Sequence, residues 1–449
     1  MSLNSSVKPL ELAKSEIDSE FGIKFQKLIK EKMSSSTNQQ LLAFTLIPIV
    51  LGAYYVGISS LVSIFGPPYA FHKLSSSIVV VPLCLFVIAY GTTWMFYLLF
   101  AQHDREFFLP YEPQRIIKFN LLFFNMLLGL RIHISLFSEY VYLNLFVLGK
   151  EIKYVAKKDI PYGSRVMTNK IDVYMPETST KSVKAARHPV IVFIYGGAWS
   201  SGNKLTYTLL ALRLTQLGYV VVVPNYTLYP KTKIEGMLSD IKRALCWTKQ
   251  NISDFGGDPN NIYGMGHSAG AHMLALLTAN DAIYKLRNNE EKADPTLQDI
   301  DPEWTLPKIS GLILMSGVYD IPKHYKFEAH KAVEEISAMR RAMGWSKESL
   351  VRNSPKLLIQ NLVESKEVDV CQLKNLMPQK ILIIHGELDT MVPVQASIEF
   401  GSVLKDLSIE NLNIKIYPDM AHSEPVTNFM KKLKFTTALS SDLTDFIAS

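Results

Sequence analysis

Apolar positions change rhythm along this chain. Residues 41–66 contain no charged side chain, and neither do residues 74–101. Each stretch exceeds the roughly 20 apolar residues that a helix needs to cross a bilayer. Pro48 and Pro82 fall inside them, and membrane helices tolerate proline. Tyr54, Tyr55, Tyr90, Trp94 and Tyr97 suit the interfacial zones. Two transmembrane helices are therefore expected. A third apolar zone, 119–148, is broken by Arg131, His133 and Glu139. Its first part, 119–130, is too short to cross, and its second, 134–148, crosses only with Glu139 inside the hydrocarbon. The pattern favours a helix lying in the headgroup region, with a third crossing as the alternative. Residues 1–40 mix Lys, Glu, Ser and Asn and read as a tail, with a short amphipathic helix at 16–32 as an equal alternative.

Beyond residue 150 the rhythm becomes short apolar runs alternating with helical patterns. Strands are expected at 151–155, 170–174, 190–195, 219–223, 262–266, 309–315, 380–385 and 413–417. Helices are expected at 207–217, 234–251, 268–277, 394–407 and 426–447. This alternation implies a mostly parallel sheet with helices on both faces. The fold class is thus α/β with an N-terminal transmembrane helical region. The domains are a tail (1–40), a membrane-anchoring region (41–148) and an α/β domain (149–449). Between the strands ending near 316 and starting at 380, one helix normally suffices. The excess, 321–378, carries an amphipathic helical run at 329–339 and is expected to form a lid or pocket wall, with a disordered surface loop as the alternative. The charged segment 287–302 reads as a surface loop.

Charge adds topology. Lys24, Lys27, Lys30 and Lys32 precede the first apolar stretch, Arg105, Arg115 and Lys118 follow the second, and only Lys73 lies between. Positive residues favour the cytosolic side, which places both ends there. A crossing by 119–148 moves the α/β domain to the lumen. The sequons Asn225-Tyr226-Thr227 and Asn251-Ile252-Ser253 fall within expected core elements and read as chance matches. The three cysteines, Cys84, Cys246 and Cys371, are far apart and suggest neither a disulfide framework nor a zinc site. Net charge is +6, without a basic cluster interleaved with aromatics, so no nucleic-acid partner is expected. No glycine-rich phosphate loop and no internal repeat stand out.

The candidate chemistry centres on Gly266-His267-Ser268-Ala269-Gly270, which follows an apolar strand and opens a helix. In that context G-x-S-x-G is a nucleophile elbow, with Ser268 lifted clear of the sheet above a helix N-terminus. Upstream, the strand at 190–195 ends in Gly196-Gly197. Backbone N–H groups of Gly196, Gly197 and Ala269 are expected to form an oxyanion hole. A base and its orienting acid should follow in the order acid, histidine. Asp389 lies just past the strand at 380–385, and His422 on the loop after the next strand. Parallel strands bring such loops to one sheet edge. Glu387, Asp419 and Asp320 compete as the acid, and Asp389 ranks first because its strand precedes the one leading to His422. His267, His272 and His385 adjoin motifs but sit wrongly for the base. Trp199 and His267 are candidates for the substrate pocket, with packing roles as the alternative.

These blocks carry a resemblance. Tyr195-Gly196-Gly197-Ala198-Trp199, Val223-Pro224-Asn225-Tyr226-Thr227-Leu228-Tyr229-Pro230, the stretch from Asn251 to Asn260, Gly266-His267-Ser268-Ala269-Gly270-Ala271-His272, and Ser346-Lys347-Glu348-Ser349-Leu350 before Ser354-Pro355 are similar to the α/β-hydrolase superfamily. Within it the chain resembles membrane-bound carboxylesterases that include the isoprenylcysteine methylesterases. Two departures stand out: Tyr195 replaces the histidine of an H-G-G-G motif, and Ala198 replaces its third glycine. The resemblance implies a serine esterase using Ser268, His422 and Asp389, with no metal or organic cofactor. Its substrate would be a hydrophobic ester such as a prenylcysteine methyl ester; another lipid or sterol ester, a formamide or amide, or a non-catalytic scaffold are the alternatives. It further implies residence in the endoplasmic reticulum or another internal membrane, with the bilayer as partner.

Overall fold

The computed structural model describes residues 36–64, 71–100, 109–142, 156–165, 167–176, 187–289, 306–365, 369–431 and 434–449. The helix expected at 16–32, the strand at 151–155 and the charged segment past residue 289 lie outside them. The chain divides into two compact units. One holds Met1–Arg131 with Tyr325–Ser337, and the other Ile132–His324 with Ala338–Ser449.

In the first unit, α1 (Ser36–Ile64), α2 (Phe71–Phe100) and the start of α3 (Pro113–Tyr142) are long helices. Residues 41–60 of α1 and 79–100 of α2 are long and apolar enough to cross a membrane. Only 11% and 22% of these stretches are buried, whereas a core helix of a soluble domain is mostly covered. The two helices approach closely at Gly91, where a Cβ would lie 2.5 Å from Val50 Cγ2. Asn120 on α3 donates to Ala89 O at 3.0 Å and to Thr93 Oγ1 at 2.9 Å, tying α3 to α2. α3 is one helix through Arg131, His133 and Glu139 to Tyr142. Charged side chains punctuate an apolar pattern without costing the backbone its helix.

The run at 329–339 also departs from expectation. A helix Ile321–His330 ends there, and Ala332 adopts a left-handed φ of 60°. Two polar anchors hold the resulting turn. Tyr97 hydroxyl donates to Ala332 O at 3.1 Å, and Arg115 meets Glu334 Oε1 at 2.6 Å. Val333 and Ile336 then pack on a cluster formed by Ala43, Tyr97, Leu98, Leu109 and Phe119. These contacts outweigh the run's modest helix propensity.

The second unit is built on one eight-stranded sheet. Its strands are β1 (Ala156–Pro161), β2 (Lys170–Tyr174), β3 (His188–Ile194), β4 (Val220–Pro224), β5 (Gly257–His267), β6 (Gly311–Met315), β7 (Lys380–Gly386) and β8 (Asn411–Tyr417). They lie in the order β1-β2-β4-β3-β5-β6-β7-β8. β1 and β2 pair antiparallel, as do β2 and β4, and every later pair is parallel. The central strands β4 and β6 are buried at every residue, which is why they read as unbroken apolar runs. Around the sheet pack α4 (Thr208–Gln216), α5 (Ile234–Asn251) and α6 (Ala269–Asn289), followed by the helices of the 321–378 segment. These are α7 (Ile321–His330), α8 (Met339–Met343), α9 (Lys347–Arg352), α10 (Pro355–Ser365) and α11 (Val370–Leu376). Last come α12 (Gln395–Asp406), α13 (Glu424–Lys431) and α14 (Thr436–Ala448). α5 buries Ile234, Met237, Leu238, Ile241, Ala244 and Leu245, the stripe its sequence spacing dictates.

Two helices differ from their expected extents. α6 continues to Asn289. The helix expected at 426–447 is two, because Asn428 diverts the chain: its Oδ1 accepts from Phe435 N at 2.7 Å and its carbonyl from Thr436 Oγ1 at 2.7 Å. The mostly parallel sheet with packed helices is the α/β architecture that the alternation of elements predicts.

Candidate active site

Ser268 occupies the turn from β5 into α6 with φ 52°, a left-handed conformation uncommon outside glycine. Its N–H donates to Met315 O at 2.8 Å, and its carbonyl accepts from His272 N at 3.1 Å. Both glycines of the pentapeptide are steric requirements. A Cβ at Gly270 would lie 2.0 Å from Ile194 O, and one at Gly266 2.7 Å from Ala271 N. The turn is therefore wedged between β3 and the first turn of α6, with the serine on its outer side.

His422, on the loop after β8, places Nε2 3.1 Å from Ser268 Oγ and Nδ1 2.7 Å from Asp389 Oδ2. The three residues thus form one hydrogen-bonded line drawn from the ends of β5, β7 and β8. Asp389 Oδ1 accepts from Met391 N and Val392 N, both at 2.8 Å. Burial pushes the Asp389 carboxyl up, but donation from His385 and His422, with the Val392 N–H, outweighs it and holds the group well below the usual carboxylate range. The line is anionic at its Asp389 end, as an imidazolium partner requires.

His267 secures the other side of the histidine loop. Its Nε2 lies 2.8 Å from His422 O, which makes that nitrogen the protonated one, and its ring packs on that of His422 at 4.9 Å. Burial, with His422 nearby, lowers its pKa to about 3, so it stays neutral. Trp199 is likewise buried, donating from Nε1 to His272 Nδ1 at 3.1 Å, while His272 Nε2 donates to Asn353 O at 2.8 Å. Trp199 and His267 are 2% and 7% exposed, and through these bonds each braces a neighbouring residue.

Gly196 and Gly197 follow β3. A Cβ on Gly196 would lie 2.9 Å from Ser268 Cβ, so the main chain passes directly beside the serine. Among the described residues, the N–H groups of Gly196, Gly197 and Ala269 find no acceptor. Gly197 O closes the turn by accepting from Ser200 N and Ser201 N. Tyr195, standing where H-G-G-G motifs carry histidine, is buried between Tyr207 and Tyr226. Its hydroxyl donates to Asn225 Oδ1 at 3.1 Å, and Asn225 Oδ1 also accepts from Lys204 N at 2.8 Å. Tyr226 hydroxyl donates to Tyr195 O at 2.8 Å. The substitution therefore keeps a braced strand end. Asn225 is spent internally and Asn251 bonds Trp247 O, which suits neither sequon to glycosylation.

The competing acids are engaged elsewhere. Asp419 pairs with Lys434 at 2.9 Å and Asp320 with Lys356 at 3.2 Å, and Glu387 is exposed. Sequence reasoning set His385 aside as wrongly placed for the base, and its Nε2 lies 3.1 Å from Asp389 Oδ2. The signal was the four-residue spacing from His385 to Asp389 at a strand end. Among the described residues, no group of three or more His, Cys, Asp or Glu is placed to hold a metal ion.

A family model described as BD-FAE matches residues 171–404, which hold β2 through most of α12 and include Ser268 and Asp389. The chain is 29% identical over 271 residues to a probable isoprenylcysteine alpha-carbonyl methylesterase, ICMEL2, of Arabidopsis thaliana, covering 60% of this chain and 57% of that protein. It is 29% identical to esterase LipQ of Mycobacterium tuberculosis, over 66% of this chain and 64% of that one. It is 31% identical to a kynurenine formamidase of Danio rerio, over 47% of this chain and 60% of that enzyme. The chain thus spans under two thirds of the length of these curated relatives. Among solved structures, an inhibited esterase B from Lactobacillus rhamnosis superposes with a TM-score of 0.51 at 15% identity, covering 70% of this chain and 96% of that one, which bears on fold alone.

Proposed function

Since the chain belongs to the BD-FAE family, we propose that it is a serine carboxylesterase acting on a hydrophobic ester. The observation that carries this reading is the line from Ser268 Oγ through His422 to Asp389, at 3.1 and 2.7 Å. Ser268 Oγ attacks the ester carbonyl while His422 Nε2 takes its proton. Asp389 holds the Nδ1–H tautomer and stabilises the imidazolium. The oxyanion sits against the N–H groups of Gly196, Gly197 and Ala269, donors typically worth roughly 10²–10³ in rate each. Collapse breaks the carbon–oxygen bond to the alcohol, which leaves with the proton from His422. Water, activated by the same histidine, then attacks the acyl-enzyme, releasing the acid and free Ser268.

The domain division, with α1 and α2 as membrane spans and 149–449 as the catalytic part, belongs to the same proposal. It is supported by the apolar, little-buried stretches at 41–60 and 79–100. An anchored esterase meets substrates that partition into lipid, and similarity to isoprenylcysteine methylesterases favours a prenylcysteine methyl ester. Similarity to a kynurenine formamidase favours formamide hydrolysis as a second reading, which the same machinery performs.

The test is labelling of detergent-solubilised full-length protein by a fluorophosphonate, wild type against Ser268→Ala. Labelling confined to wild type is expected, and folded wild type that stays unlabelled overturns the esterase reading. Comparing turnover of farnesylcysteine methyl ester, a sterol acetate and an aryl formamide then ranks the substrate classes.

A further inference from the structure

His385 ends β7 with its side chain wholly buried, in surroundings that give both ring nitrogens a partner. Nε2 lies 3.1 Å from Asp389 Oδ2 and 3.0 Å from Val392 O. A carboxylate and a carbonyl only accept, so the proton sits on Nε2. Nδ1 is then an acceptor, and Ser397 Oγ, in the first turn of α12, donates to it at 2.7 Å. The tautomer is fixed from both sides. Asp389 Oδ2 consequently accepts from two imidazoles, His422 at 2.7 Å and His385 at 3.1 Å, while Oδ1 accepts from two backbone N–H groups. A residue serving only to fill the end of β7 needs no polar atom, and burying one without a partner is costly.

We propose that His385 is a positioning residue for the hydrolytic reaction: its Nε2–H bond to Asp389 Oδ2 locks the carboxylate in the orientation that His422 requires. The inference rests on the esterase reading of the same site. The bond has a second consequence. By donating to the oxygen that faces His422, His385 withdraws some of the negative charge that the imidazole meets. The other titratable groups around His385 are His422 itself, His267, and Tyr319 beside Ser397, whose hydroxyl burial holds above its ordinary range. His267 is neutral across the working range, and Tyr319 is protonated there, so neither changes charge.

The experiment measures kcat, KM and the pH profile of kcat/KM for p-nitrophenyl ester hydrolysis by the full-length protein, with fluorophosphonate labelling and a melting curve for each variant. In His385→Leu, kcat falls roughly tenfold or more with KM nearly unchanged, and the acid limb moves up by about half a pH unit or more, because the carboxylate loses a donor. His385→Gln, whose side-chain N–H₂ reaches a similar point, recovers part of both effects. Ser397→Ala frees the ring to turn and moves the limb in the same direction. A folded, labelled His385→Leu with the wild-type acid limb overturns the proposal. If that variant does not fold, Ser397→Ala decides, and a wild-type limb in it overturns the proposal equally. Failure of the esterase reading is distinct, since wild type itself would then neither label nor turn over ester.

Discussion

Lys204 → Met isolates a carboxylate beneath the oxyanion turn. Lys204 is 2% exposed, with Nζ 2.5 Å from Asp172 Oδ1 and 2.9 Å from Asp159 Oδ1. Asp159 is mostly solvated, so its share is small. Asp172 is fully buried, and without Lys204 it keeps only neutral donors, Asp159 N at 2.8 Å and Tyr174 hydroxyl at 3.4 Å. Breaking such a pair by removing one partner typically costs about 3–5 kcal/mol. The loss has a ceiling, because the bare carboxylate escapes by binding a proton. For a carboxyl of ordinary acidity that costs about 4 kcal/mol at pH 7 and about 1.5 kcal/mol at pH 5. The variant is therefore expected to lose about 3–4 kcal/mol at pH 7 and visibly less at pH 5. Urea titration of the detergent-solubilised protein, followed by tryptophan fluorescence at both pH values, reads this directly. Lys204→Met combined with Asp172→Asn should recover most of the loss and erase its pH dependence. A loss under about 1 kcal/mol at pH 7, or one equal at both pH values, refutes the view that the pair is electrostatically isolated from water.

Four further outcomes follow from the same contacts. Asp389→Asn is expected to lower kcat about 10⁴-fold with the fold intact, since the amide stabilises neither the Nδ1–H tautomer nor the imidazolium; steady-state kinetics at saturating ester check it, and a loss under tenfold refutes it. Gly270→Ala drives a Cβ to 2.0 Å from Ile194 O, a backbone atom that cannot step aside, so fluorophosphonate labelling should vanish and stability fall by about 1–3 kcal/mol; wild-type labelling would count against the wedge. Burial lowers the His267 pKa to about 3 and the His272 pKa to about 4; because the folded values lie below the unfolded one, stability is complete above about pH 6.5 and falls as acid is added. These two histidines contribute up to about 2.7 kcal/mol per pH unit near pH 5, and His272→Gln should flatten the slope of urea stability against pH, an unchanged slope refuting the assignment. Arg115→Met leaves Glu334 buried without its cation, which should cost about 3–5 kcal/mol and speed tryptic cleavage after Lys331; Glu334→Gln in the same chain should slow it again, and equal cleavage of all three would sink the idea.

What was legible in the sequence divides by how local the cause is. The pentapeptide around Ser268 could be read because Gly266 answers a demand made within a few residues, at Ala271 N, and Gly270 one made by the neighbouring strand at Ile194 O. Strand order then carried Asp389 and His422 to the same edge, because parallel strands leave their following loops side by side. The departures have remote causes. Residues 329–339 have a helical pattern, and the chain turns there because Glu334 answers Arg115, 219 positions earlier. The helix at 426–447 breaks because an amide at Asn428 captures Phe435 N, a choice hydrophobic spacing does not record. His385 shows the same limit within the site. Its place at the end of an apolar strand reads as packing, and its role depends on Asp389 already being turned toward His422. A contact whose meaning rests on another contact is invisible to spacing, which is why the three residues of the hydrogen-bonded line could be ranked from sequence and the fourth, bonded to the same carboxylate oxygen, could not.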